Sequence, residues 1–249
     1  MRFKRTFFVS LALLLLPAFC MAVSAGKHEA RMKSYVAVLE KFLKDGTLPG
    51  GGRAEESEAD AFAIVDVTGD GAPELIFYFI TARPAEMVAT YDPEVDAVVD
   101  IFAGFSGLSY YSGGVLREDI SPMAGDEDFR PHTIYRYNPT TKKYENCGFV
   151  NAWNKADPST SPDGGKPFPD DIDVDGDGKI YSITLGEKRL VDPDSEYVDG
   201  PAYRAWEDGI LGGAEEIDVP WLPADEDGLE QLMQGKITER YRGDKEIGP

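Results

Sequence analysis

The sequence predicts an α+β fold: an antiparallel β meander with an amphipathic helix before it and a second helix at the C-terminal end. Three observations carry that prediction. Apolar residues recur at three-and-four spacing only near the two ends of the chain. Short β-prone runs separated by turn-forming clusters fill the middle. No solenoid-type period is present, so a stacked repeat array is excluded.

Residues 1–25 read as a signal peptide. Arg2, Lys4 and Arg5 precede an apolar run from Phe7 to Leu16, and small residues follow up to Ala25. Cleavage after Ala25 or Ser24 fits that pattern. Cys20 opens the alternative of an acylated lipoprotein, against which Phe19 is too large for the preceding position. The run is shorter than the roughly twenty residues a bilayer span needs, so no membrane insertion is expected after cleavage. The expected location is periplasmic or secreted.

Residues 27–45 read as the first helix, with Met32, Tyr35, Val36, Leu39, Phe42 and Leu43 on one face and Gly46 ending it. Two longer apolar runs, FAIVDV and ELIFYFI, then flank an acidic turn between Phe62 and Ile80. They are expected to form the central strand pair. Strand candidates follow at Met87–Tyr91, Ala97–Phe102, Leu108–Tyr111 and Gly114–Arg117. A hairpin is expected where Thr133–Tyr137 and Lys143–Val150 flank Asn138, Pro139, Thr140 and Thr141. The stretch 121–131 reads as loop.

Residues 154–171 are rich in Pro, Asp, Ser and Gly and read as a linker or surface excursion. A short strand is expected at Tyr181–Leu185. Leu229, Leu232, Met233, Ile237 and Tyr241 make one face of the C-terminal helix, closed by Gly243. The domain reading is a leader over 1–25, a helix-plus-meander unit over 26–153, and a region over 154–249 packed on the same domain.

Composition narrows the function. The chain carries 25 basic and 45 acidic residues; without the leader the count becomes 22 against 45, a net charge of about −23. Nucleic acid is excluded as a partner by that repulsion, and divalent cations are attracted. With the leader removed Cys147 is the one remaining cysteine, so no intramolecular disulfide braces the chain.

The acids concentrate in two turns. In the first, Asp66, Thr68, Asp70 and Glu74 occupy positions one, three, five and nine, with the Ala72 carbonyl at seven. In the second, Asp173, Asp175 and Asp177 occupy one, three and five, followed by Gly178, the Lys179 carbonyl at seven and Ile180 at eight. Alternate oxygens converge when a backbone curls tightly, and calcium takes six to eight oxygens at about 2.3–2.6 Å. The alternative for the first turn is a tight hairpin that uses Asp and Gly for backbone reasons alone.

The first turn resembles the calcium loops that join strands in integrin-type repeats and in secreted bacterial proteins with Asp-Gly signatures. The second resembles the first eight positions of an EF-hand or dockerin loop. It departs from that family at position twelve, where Thr184 stands in place of the bidentate Glu and Glu187 falls three residues late. The resemblance implies calcium as the cofactor.

Catalysis finds little raw material. His28 and His132 are the only histidines, and His132 reads as a surface residue ahead of a strand. The GFSGLS stretch around Ser106 lacks the second glycine of a nucleophile elbow. The expected function is an exported calcium-binding, non-catalytic domain whose loops are braced by cations, with a surface for a protein or glycan partner. The alternative is a secreted hydrolase acting on glycans through paired carboxylates, with Trp153, Trp206 and Trp221 as a sugar platform.

Overall fold

A computed structural model describes residues 6–53, 59–80, 85–105, 107–119, 129–157, 160, 167–186 and 196–235, with 6–25 and 196 described by backbone alone. Ser106, most of the 121–131 loop, Glu187 and the end of the expected C-terminal helix (Ile237, Tyr241, Gly243) lie outside those residues.

Helix α1 (Thr6–Asp45) precedes β1 (Ala61–Val65), β2 (Glu74–Tyr78), β3 (Glu86–Asp92) and β4 (Ala97–Gly104). These four strands, in order, form an antiparallel sheet whose other edge is β11 (Leu222–Pro223), paired to β1. A second antiparallel sheet has the order β10 (Glu196–Asp199), β9 (Lys179–Thr184), β8 (Lys143–Asn154), β7 (His132–Asn138), β6 (Val115–Asp119), β5 (Leu108–Tyr111). Helices α2 (Gly200–Leu211) and α3 (Glu226–Met233) complete the chain. The expected single meander is therefore two sheets, and β8 pairs with β9 across the stretch read as a linker.

The layers follow from side-chain parity. Phe62, Ile64, Leu75 and Phe77 point to one face of the first sheet and pack against Tyr35, Leu39 and Phe42 of α1. Ala63, Ile76 and Val88 point to the other face and meet Tyr110, Leu116 and Tyr144 of the second sheet. Strands covered on both faces read as continuous apolar runs, which is why FAIV and LIF do not alternate. Tyr35, Leu39 and Phe42 are almost fully buried, and each stabilises the docked helix by about 2 kcal/mol. The Tyr35 hydroxyl adds polar contacts, donating to the Pro73 carbonyl at 2.8 Å and accepting from the Tyr91 N–H at 3.2 Å.

The far face of the second sheet is covered by α2. A register shift opposite Ile134 and Tyr135 inverts the parity of β8: Tyr135 pairs with Asn146, whereas Ile134 pairs with Gly148. Such a bulge re-aims every residue beyond it. Tyr144 therefore faces the first sheet, while Val150 and Ala152 face outward and pack on Tyr203 and Trp206 of α2. Gly148 is the contact point, because a Cβ there would come within 2.6 Å of Trp206. Gly148→Ala is expected to lower stability by about 1–3 kcal/mol and to change Trp206 fluorescence. An unaltered melting curve and emission spectrum would contradict this packing.

Among the described residues no helix is long and apolar enough to cross a membrane.

Candidate metal centre

The first acidic turn joins β1 to β2 and is gripped by the second sheet. The Tyr144 hydroxyl donates to the Val67 carbonyl at 2.7 Å. Gly114, at the β5–β6 turn, sits so close that a Cβ would lie 2.5 Å from the Thr68 carbonyl oxygen. Its positive φ, in the left-handed region, also favours glycine. The carboxylates of this turn face their own backbone. Asp66 accepts from the N–H groups of Gly69 (2.7 Å) and Gly71 (2.9 Å), and Asp70 accepts from the Ala72 N–H at 2.8 Å.

Glu74 is fully buried and closes the turn from beneath. Its Oε2 accepts from the N–H groups of Val67 (3.1 Å) and Thr68 (3.2 Å), and its Oε1 accepts from the Thr90 hydroxyl. Burial pushes its pKa up to about 7, with Asp70 and Asp66 adding to the rise and the two N–H donors opposing it. The Thr68 hydroxyl oxygen is shut away from solvent with no hydrogen-bond partner among the described residues.

The second acidic turn leads into β9 and is arranged differently. Asp173 accepts from the Gly178 N–H through Oδ2 at 3.1 Å, the i to i+5 closure that a left-handed Gly178 permits. Its other oxygen, Oδ1, is buried with no hydrogen-bond partner among the described residues. Asp175 accepts from the Asp177 N–H at 3.2 Å, and Asp177 from the Lys179 N–H at 2.7 Å.

A third carboxylate joins this turn from a distant segment. Asp199, the last residue of β10, accepts from the Asp175 N–H at 3.2 Å. It also caps α2, accepting from the Gly200 N–H at 2.8 Å. Asp173, Asp175 and Asp199 each bring an oxygen within 4.8 Å of the others, the one such trio among the described residues. Asp66, Asp70 and Glu74 do not converge in that way, and Asp177 stands outside the trio. Three hard oxygen donors with no nitrogen or sulfur suit calcium or magnesium rather than a transition metal.

Two cations border the trio. Lys155 pairs with Asp170 at 2.5 Å, which with the more distant Asp173 raises its pKa above the usual lysine value. The Arg204 guanidinium, one turn into α2, lies on the Gly200 side of Asp175: a Cβ on Gly200 would be 3.1 Å from Arg204 Nη1 and 3.2 Å from Asp175 Oδ2.

Asp199 is the residue that sequence reading missed. It stands 24 residues along the chain from Asp175, at the end of a short strand that the sequence does not mark. Its one local signal was the helix-capping pattern Asp199-Gly200-Pro201. His132 is a correction: expected at the surface, it is fully buried under α2, because its position on β7 points into the helix-covered face. The three tryptophans lie in separate places, Trp153 against Phe168 and Tyr197, Trp206 on Gly148, and Trp221 against Tyr78.

No protein-family model, curated protein or solved structure matches this chain.

Proposed function

We propose that this chain is an exported, calcium-binding, non-catalytic protein in which a cation held by Asp173, Asp175 and Asp199 braces the β8–β9 connection against the start of α2. The observation that carries this reading is the convergence of three carboxylates from two segments, one with a buried oxygen that receives no donor among the described residues. Like charges so placed repel, and a divalent cation removes the repulsion while satisfying that oxygen. The basic and apolar leader supports export to the periplasm or the exterior, where calcium is abundant and where a chain without a disulfide gains from another brace. The first acidic turn, with its oxygens turned on its own N–H groups and Glu74 buried, is the poorer candidate and is not expected to hold a cation of its own.

Titration calorimetry with calcium tests the proposal. One binding event is expected, lost in Asp175→Asn and retained in Asp66→Asn. No heat at millimolar calcium, or loss only in the Asp66 variant, would sink it.

A further inference from the structure

Beneath α2, away from the acidic turns, lies a buried polar contact that the cation reading does not use. His132 on β7 has no solvent exposure. Its Nδ1 lies 2.8 Å from the Arg130 carbonyl oxygen. A carbonyl only accepts, so Nδ1 carries a hydrogen. Its Nε2 lies 3.3 Å from Oε1 of Glu207 on α2. Both atoms are closed to solvent, and neither has a hydrogen-bonding partner of good geometry among the described residues, so the other is the polar atom each faces. A neutral imidazole in this tautomer would turn the Nε2 lone pair toward a carboxylate oxygen. Two acceptors cannot face each other in a dry site without cost, so the contact calls for one more proton.

From this donor–acceptor count we infer that His132 is an imidazolium paired with the Glu207 carboxylate, and that this proton locks α2 onto the second sheet. The surrounding groups are consistent with it. Burial pushes the Glu207 carboxyl up, but hydrogen bonds from His132 and Tyr203, with the Arg117 charge behind them, hold it below the usual glutamate value. Arg117 lies 3.9 Å from Glu207 and is itself held by Asp119 at 3.0 Å. Phe129, Tyr181 and Tyr203 close the aromatic wall, with Phe129 packed against the imidazole at 5.5 Å and Tyr203 stacked on Tyr181 at 4.4 Å. The remaining ties on α2 are the Asp199 cap, the Trp206 contact and a hydrogen bond from Arg136 to the Ile210 carbonyl. The lock is present while the proton is held and is lost when the proton leaves.

With only two histidines in the chain, nitrogen-15 NMR of the rings reads this directly, and exposed His28 serves as the internal reference. His132 is expected to show both ring nitrogens protonated in the wild type and a single Nδ1–H tautomer in Glu207→Gln under the same conditions. Amide exchange across residues 200–211, corrected for its intrinsic pH dependence, is expected to accelerate in step with His132 deprotonation. A neutral Nδ1–H ring in the wild-type spectrum under conditions where the Glu207 carboxyl is ionised would overturn the inference. So would a protonated Glu207 carboxyl in the carbon-13 spectrum, or α2 exchange that ignores the His132 titration. The wild-type spectra decide the point even if the variant fails to fold.

Discussion

Melting temperatures measured from pH 5 to pH 8 are expected to fall as the solution becomes more alkaline, the reverse of the acid sensitivity common among proteins with paired carboxylates. Two buried glutamates cause this, Glu74 beneath the first acidic turn and Glu86 on β3, which is 4 % exposed. Burial first, then the charge of Glu118, pushes its pKa up to about 7, against the pull of the Tyr110 hydroxyl and the N–H groups of Leu108 and Gly107. Tyr110 donates to Glu86 at 2.9 Å. Glu118, 6 % exposed, accepts from the Phe105 N–H at 2.7 Å and the Tyr135 hydroxyl at 2.8 Å.

In the unfolded chain Glu86 ionises near its ordinary value of 4.5. The native state therefore holds more protons between 4.5 and 7. Its contribution is fully present below the lower value and is lost as pH rises through the upper one, a difference of about 3 kcal/mol. Glu86→Gln mimics the protonated acid and removes its share of the titration, leaving that of Glu74. Its melting temperature should depend less on pH than that of the wild type, whatever its absolute value. A wild-type profile that is flat or rises from pH 5 to 8 would refute this account.

Calcium is expected to raise the melting temperature, and the sensitivity should belong to α2 rather than to the first acidic turn. At a free concentration one hundred times the dissociation constant, a ligand specific for the native state contributes about 2.7 kcal/mol. Asp199→Asn isolates the cation, because asparagine caps a helix about as well as aspartate does. The variant should melt like the wild type in chelator but gain little when calcium is added. Asp66→Asn should keep the full gain. Identical melting in calcium and in chelator would exclude a bracing cation at the trio.

Local physics made much of this legible in the residues. The continuous apolar runs around Ile64 and Ile76 mark strands, since strands packed on both faces have no polar side to show. The turn formers at Asn138–Thr141 mark the β7–β8 hairpin. There the Asn138 side chain accepts from the Thr140 N–H at 2.8 Å. Asp173 and Asp175 were legible as a pair because one tight curl places them together.

Other features depended on contacts between segments remote in sequence. The stretch Leu108–Val150 reads as a continuation of the meander, and only the docking of its inner face on Ala63, Ile76 and Val88 makes it a second sheet. The bulge opposite Tyr135 decides that Val150 and Ala152 look toward α2, and the same face buries His132 against Glu207. Asp199 becomes part of the carboxylate trio because β10 pairs with β9, a register fixed by strand pairing and invisible in the residues around it. Sequence by itself determined the first helix and most of the strands, the charge and two of the three acids, all of which depend on neighbours along the chain, whereas α2, β10 and β11 were not read from it. The layers, the third acid and the buried histidine were decided by tertiary structure, because each exists only where strands distant in sequence meet.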